Sequence, residues 1–319
     1  MGLVCCCGRI DGPLPKGPGA GNKAVGMRRG GVVLKQAVIL VGGLGTRLGE
    51  MTRLVPKPLL EVAGRPFLDY ILDELSRYPT IRNIVLLAGH QAGQVVGRYD
   101  GRRWRDAAIS VIAEPAPFGT GGALKHAATR LEDKFLLLNG DSFFDFNLLD
   151  LTAPTHSPAI VRVALKKDHA GDRYGRVLLD KEFIKTFLTA GTQPNGPINS
   201  GVYCVDRKVL SFIDELPCSL EQAVFPRLSE IGQLRANLYD GFFIDIGVPA
   251  DFERAQTELP ERVRRSAVFF DRDGVLNVDK AYVHKVEDFE WVAGAREAIK
   301  FCNDRGYLTF VVTNQAGVA

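Results

Sequence analysis

No run of about 18 apolar residues occurs in this 319-residue chain, which argues against a membrane-spanning helix. Cysteine is scarce: of six, Cys5, Cys6 and Cys7 are adjacent, while Cys204, Cys218 and Cys302 stand alone among apolar neighbours. The isolated three lack metal-ligand spacing and fit a reducing cytoplasm. Net charge is also small, +3, and residues 1–34 alone hold five Lys/Arg against Asp11. The rest of the chain therefore has no basic footprint for nucleic acid. A hydrophobic content of 46% with 24% charged residues is ordinary for a globular protein, and the length suits about two domains.

Residues 1–34 lack apolar periodicity. Rich in Gly, Pro and basic residues, they read as a disordered tail; a true start at Met27 is at least as plausible as a functional role for the cysteines in it. Gly2 invites a myristoyl anchor, yet Cys6 stands where that motif wants Ser or Thr. The Cys5–Cys7 cluster could carry a lipid or a metal, but no apolar signal segment precedes it and no His or fourth Cys is near.

Residues 36–60 organise the remainder. An apolar run, 37–41, has the character of a buried parallel strand. Gly42, Gly43 and Gly45 follow at once, then Thr46, Arg47 and, between two prolines, Lys57. Glycines leave backbone N–H groups open to a phosphate, and Arg47 and Lys57 bring the charge that a polyphosphate needs. Two commoner phosphate loops are excluded. Leu48 stands where a dinucleotide fingerprint has its third glycine, and no Gly-Lys-Ser/Thr follows.

From Lys35 onward strands and helices alternate. Helices are expected at 67–77, at 91–99 and after Gly119-Thr120-Gly121-Gly122; strands are expected at 84–88, 108–113 and 135–139. This rhythm predicts an open, mostly parallel α/β sheet with ligands beyond the strand carboxyl ends. The basic stretch 102–105 reads as a solvated loop. Past residue 159 come strand pairs at 159–165, 176–179, 183–188 and 201–205, then a capping box at Ser219 and Gln222. A strand at 239–246 leads to a helix at 250–259, with Pro249 in its first turn. The proline and charges of 260–266 mark a domain boundary, giving domains at 35–260 and 266–319.

Two acids close apolar strands in the first domain: Asp141 after Gly140, and Asp245 before Ile246-Gly247. Each alone could be a cap or turn residue. Together they could hold Mg²⁺, which prefers hard carboxylate oxygens. Glu114 heads the loop to Gly119. An ionised carboxylate only accepts hydrogen bonds; if this loop lies by a nucleotide base, as the resemblance given next implies, guanine's two adjacent donors favour GTP over UTP or dTTP, and a Glu facing solvent or ribose stays open.

The full string from Gly42 through Lys57 to Pro66 resembles the sugar-phosphate nucleotidyltransferases, over roughly residues 36–258. That resemblance implies a Rossmann-like, GT-A-like sheet and transfer of a nucleotidyl group from a nucleoside triphosphate to a sugar 1-phosphate. It implies phosphate binding by Arg47 and Lys57, and metal binding by Asp141 and Asp245. It further implies a nucleotide loop of Gly42, Gly43, Gly45, Thr46, Gly119, Thr120 and Gly121, and a sugar-phosphate pocket at Gly175 and Asn199. One departure is visible. Many relatives carry Glu-Lys after the strand at 183–188, and Thr189-Ala190 stands here; Lys185, Lys166 or Lys167 could replace the lost cation.

Residues 267–270 are a second apolar strand, ending in Asp271-Arg272-Asp273-Gly274. Two acids so spaced suit phosphoryl transfer through an aspartyl phosphate, and a calcium loop would need a Glu that is missing. Residues 267–319 resemble the haloacid-dehalogenase-type phosphatases, nearest the heptose 1,7-bisphosphate phosphatases. That implies Asp271 as nucleophile, Asp273 as acid/base, both near the metal, and phosphate binding by Thr313 and Asn314. The family's later lysine, acidic pair and zinc loop have no counterpart, so a truncated domain and a longer bifunctional parent are expected. The pairing suggests a heptose as the sugar, with mannose or another hexose, or a non-catalytic sensor, as alternatives. Expected partners are GTP and a sugar 1-phosphate, without nucleic acid or membrane; homo-oligomerisation stays open.

Overall fold

Apolar runs of five to seven residues can only be buried on both faces if helices cover both sides of a sheet. The computed structural model of the chain describes residues 34–43, 45–153, 159–167, 174–192, 195–281 and 283–314. It divides into two compact units between Val263 and Arg264. The expected tail, Cys5–Cys7, Tyr282 and residues 315–319 lie outside the described residues.

The larger unit opens with β1 (Gln36–Leu40), a hairpin of β2 (Glu61–Val62) and β3 (Arg65–Pro66), and α1 (Phe67–Leu75). Next come β4 (Asn83–Ala88), α2 (Ala92–Tyr99), β5 (Arg103–Trp104), β6 (Ala107–Ala113), α3 (Gly119–His126) and β7 (Lys134–Asn139). The second half holds β8 (Ser142–Phe144), α4 (Leu148–Thr152), β9 (Val161–Lys166), β10 (Val177–Asp180), β11 (Phe183–Phe187) and β12 (Ile198–Asp206). It closes with α5 (Phe225–Glu230), β13 (Leu234–Tyr239), β14 (Phe243–Asp245) and α6 (Pro249–Arg262).

Ten strands form one mixed sheet in the order β10-β11-β13-β9-β12-β7-β1-β4-β6-β5. Strands β7, β1, β4 and β6 are parallel neighbours; β12 enters antiparallel between β7 and β9. The pleat sorts side chains by parity. Ala37 and Ile39 pack with α1, α2 and α6 residues such as Leu72, Val95 and Leu259. Val38 faces the other way, into a core with Leu124 of α3 and Phe225 of α5.

Three expectations need correction. The strand expected at 239–246 is broken: β13 belongs to the main sheet, whereas β14 leaves it to pair antiparallel with β8. The break falls at Gly241, where any Cβ would collide with the Asp145 carbonyl. Pro260 does not end the helix before it, since α6 runs on to Arg262. A proline there forfeits its own N–H bond and crowds the carbonyl four residues back, yet Val263 N still reaches Leu259 O at 3.1 Å. The basic stretch is not a loop throughout. Arg103–Trp104 forms β5 at the sheet edge, pinned by Trp104 Nε1 donating to Asp73 Oδ1 at 3.0 Å. Half of the capping box forms: Ser219 Oγ accepts from Gln222 N at 3.2 Å.

The smaller unit pairs β15 (Ala267–Asp271) in parallel with β16 (Leu308–Val312), joined through α7 (Ala295–Asp304). Val268, Phe270, Leu276, Ala295 and Cys302 make its core. Among the described residues no helix is long and apolar enough to cross a membrane.

Leu86 is fully buried in β4, at the middle of the parallel strands. Leu86→Ala should lower the unfolding free energy by about 2–5 kcal/mol in urea denaturation. Leu238→Ala on β13, where the side chain is half-exposed, should cost far less.

Candidate active site

The carboxyl ends of β1, β4, β6 and β7 converge on one rim of the sheet. Gly140 N donates to Leu40 O at 2.9 Å, and a Cβ on Gly140 would sit 2.7 Å from that oxygen. Only glycine lets β7 deliver Asp141 this close to β1. Gly42 meets Gly89 in the same way: a Cβ on Gly42 would lie 2.9 Å from Gly89 N, and His90 N donates to Gly42 O at 3.2 Å. Gly45 holds φ +63° over the Thr52 side chain, whose Oγ1 donates back to Gly45 O at 2.9 Å.

The glycine turn separates two hollows. One, of about 430 Å³, is lined by Gly42, Gly43, Gly89, His90, Glu114, the prolines after it, Gly119 and Thr120. The other, of about 360 Å³, is lined by Gly45, Thr46, Arg47, Lys57, Asp141, Tyr174, Asp245 and Gly247. The structure thus gathers at one wall the expected phosphate and metal residues, which stand far apart along the chain.

Lys57 is nine-tenths buried, and its Nζ lies 2.5 Å from Asp141 Oδ2 and 3.7 Å from Asp245 Oδ1. Both carboxylates are therefore aimed at one point where positive charge already sits. Their orientation is fixed locally: Ser142 Oγ donates to Asp141 Oδ1 at 3.2 Å, and Gly247 N donates to Asp245 Oδ1 at 2.5 Å. Ile246 N also donates to Asp141 O at 3.0 Å, binding the two acid-bearing segments by their backbones. Among the described residues no cluster of three or more His, Cys, Asp or Glu has metal-binding geometry. A divalent cation here would have these two protein carboxylates and take its other oxygens from water and phosphate.

Glu114 lines the larger hollow, where its Oε2 accepts from Phe118 N at 3.2 Å and burial raises its carboxyl above the ordinary glutamate range. Its Oε1 stands against Gly42, 3.1 Å from where a Cβ would be. Gly119 and Thr120 share this wall, but Gly121 does not line it. The Gly121 and Gly122 N–H groups both donate to Cys218 O, at 2.9 and 3.2 Å, so these glycines serve packing against the 218–221 segment.

Gly175 and Asn199 line neither hollow. A side chain on Gly175 would collide with the Leu188 carbonyl, which gives that glycine a packing reason of its own. Asn199 is engaged within its strand, donating to Tyr203 Oη at 2.8 Å. The replacements considered for the missing lysine sit elsewhere. Lys185 Nζ is 3.4 Å from Asp180 and Lys166 Nζ 2.8 Å from Asp240, and neither they nor Lys167 lines the smaller hollow. Arg47 and Lys57 are its cations among the described residues.

Sequence reasoning missed Gly89, His90 and Tyr174. Gly89-His90 follows β4 as Gly42-Gly43 follows β1, and the strand-end rule could have found it. No spacing pattern points to Tyr174.

In the smaller unit, Asp271 ends β15 opposite Val312, so Thr313 and Asn314 leave the neighbouring strand end beside it. Arg272 grips both Asp273 oxygens at 2.9–3.2 Å, and Asn277 Nδ2 adds a bond at 3.0 Å. As placed, the Asp273 carboxylate is ion-paired with the neighbouring Arg272.

A glycine cradle at a parallel strand end, two hollows and a converging acid pair define an α/β enzyme that handles nucleotides. The nucleotidyl transferase family matches residues 36–262, and the chain belongs to it. It is 32% identical over 219 residues to D-glycero-alpha-D-manno-heptose 1-phosphate guanylyltransferase of Campylobacter jejuni, covering 68% of this chain and 96% of that protein. It is 34% identical over 240 residues to mannose-1-phosphate guanylyltransferase catalytic subunit beta of Drosophila melanogaster, covering 73% and 63%. Among solved structures, HddC from Yersinia pseudotuberculosis complexed with GMP-PN superposes with a TM-score of 0.63 at 28% identity, covering 71% of this chain and all of that one.

The sign of the Glu114 effect is testable. A carboxyl raised by burial lends stability that is fully present below its unfolded pKa and lost as pH rises through its folded one. Thermal unfolding of Glu114→Gln should therefore gain on the wild type from about pH 4 upward. A difference that stays flat with pH would contradict this placement.

Proposed function

We propose that the larger unit transfers GMP from GTP to D-glycero-D-manno-heptose 1-phosphate and releases pyrophosphate. The observation that carries this reading is the convergence of Arg47, Lys57, Asp141 and Asp245 on one hollow, next to a second one large enough for a base. A phosphate oxygen of the sugar attacks the α-phosphorus in line; the new P–O bond forms as the bond to the β-phosphate breaks. Arg47 and Lys57 neutralise the phosphates and hold them for that attack. Asp141 and Asp245 are the residues that would hold Mg²⁺, which when bound stabilises charge developing on the phosphates.

Glu114 supports guanine, because an acceptor-only carboxylate in the larger hollow matches the adjacent N1–H and N2–H₂ donors. Heptose is favoured by the Campylobacter relative and by the sequence of the smaller unit. The Drosophila relative keeps mannose 1-phosphate as the competing substrate. A sensor without turnover would have no need of the acid pair, which is retained.

For residues 266–319 we infer a haloacid-dehalogenase-type phosphatase relationship, with heptose 1,7-bisphosphate as the substrate. The support is Asp271 beside Thr313 at the ends of two parallel strands. Beryllium fluoride with Mg²⁺ should give a bound fluorine resonance that disappears in Asp271→Asn; no such resonance from the unaltered chain removes this second reading.

The purified chain with GTP, Mg²⁺ and heptose 1-phosphate should release pyrophosphate, and Asp141→Ala should abolish the release. Equal release from that variant would refute the role of Asp141, and a strong preference for mannose 1-phosphate would replace heptose.

A further inference from the structure

The two cations of the smaller hollow are held in different ways. Lys57 is buried between two carboxylates, whereas Arg47 is exposed on the turn that follows Gly45. The place of Arg47 therefore depends on the backbone of residues 45–52. Gly45 and Gly49 both lie at positive φ, +63° and +57°, and the second breaks the short 3₁₀ segment from Thr46 to Thr52. A stretch punctuated by two such glycines has little conformational preference of its own. Thr52, itself buried, draws it together: its Oγ1 lies 2.9 Å from Gly45 O and 3.2 Å from Gly49 O, sharing one proton between them.

The Thr52 carbonyl is fixed from outside the loop. His90 Nε2 stands 3.2 Å from Thr52 O. A carbonyl only accepts, so this ring nitrogen carries the proton and donates. The main-chain N–H of the same residue donates to Gly42 O at 3.2 Å. His90 thus bonds the chain on both sides of the glycine turn, through its backbone before it and through its ring after it. Four residues on, Gln94 Nε2 adds a bond to Leu54 O at 2.5 Å. Between them Gln91 has φ +56°, a left-handed backbone that residues other than glycine seldom adopt, and α2 starts immediately after it.

We propose that His90 is a positioning residue for Arg47: its ring anchors the far end of the 45–52 loop and so holds the guanidinium in place. His90 lines the larger hollow and Arg47 the smaller, so the ring acts on phosphate-side geometry without lining that side itself. One hydrogen bond, from His90 to Thr52, and one shared proton, from Thr52 to Gly45 and Gly49, make up the whole link. What Arg47 binds rests on the nucleotidyltransferase reading; the anchoring of the loop does not.

Two readouts on the full chain test it. The Leu48 and Arg53 amides, bonded to Gly45 O and Glu50 O, report on the loop by hydrogen exchange. Both should exchange faster in His90→Leu, with β4 unchanged, and return toward the wild type in His90→Gln, whose amide can still donate. With inorganic tripolyphosphate as the probe, calorimetry should show affinity about three- to tenfold weaker in His90→Leu, recovered in His90→Gln. In an Arg47→Ala background the same His90→Leu change should cost nothing further, because the group it positions is gone. Should His90→Leu not fold, His90→Phe, which keeps a ring and loses the donor, carries the same comparison. Unaltered loop exchange, no recovery in His90→Gln, or losses that multiply with Arg47→Ala would overturn the proposal. If these results hold while the wild type releases no pyrophosphate from GTP, the role of His90 stands and the proposed reaction falls.

Discussion

The buried ammonium of Lys57 between Asp141 and Asp245 is the constraint on which the site depends. Two like charges brought together in a half-buried pocket repel each other, and a carboxylate removed from water without a partner is costly. Lys57 offsets both effects and is held in place by its own short turn, Lys57–Leu59, with prolines on either side. Breaking such a group is worse than never having built it, since removal of one member leaves the others buried and uncompensated. The same arrangement puts one buried cation and two carboxylates on the wall of a single hollow.

Much of this was legible in the chain. The run 37–41 followed by glycines located β1 and the cradle, because a strand buried on both faces has to be apolar throughout and a backbone approaching a phosphate has to lose its side chains. Asp141 was visible for the same reason, as an acid directly beyond an apolar strand and a glycine. Asp245 was found, but its setting was not. An unbroken strand at 239–246 satisfies every local preference, and only the collision awaiting a side chain at Gly241 reveals that the chain turns out of the main sheet there.

The rest was illegible because its causes are not local. Gly121 and Gly175 read as ligand-facing glycines, yet each also has a packing reason: a side chain on Gly121 would press tightly on Cys218, and one on Gly175 would collide with the Leu188 carbonyl. Those neighbours come from distant segments. Pro260 shows the opposite error, in which a local rule was trusted too far. A proline in the last turn of a helix forfeits one bond near the end of the ladder, where few remain to be lost. In the smaller unit, the Asp-x-Asp spacing was clear, whereas the grip of Arg272 on Asp273 depends on rotamers that spacing does not specify.

The short ribbon of β8 and β14 has a consequence for how such a protein varies. Because Asp245 faces Ser142 across that ribbon, the gap between the two acids is set by a few backbone bonds and not by the hundred-odd residues connecting them in sequence. The exposed loops and the edge hairpin of β10 and β11 within that connection can change length while the acids keep their spacing. The distance between the two carboxylates is thereby insulated from changes in the length of the chain that separates them.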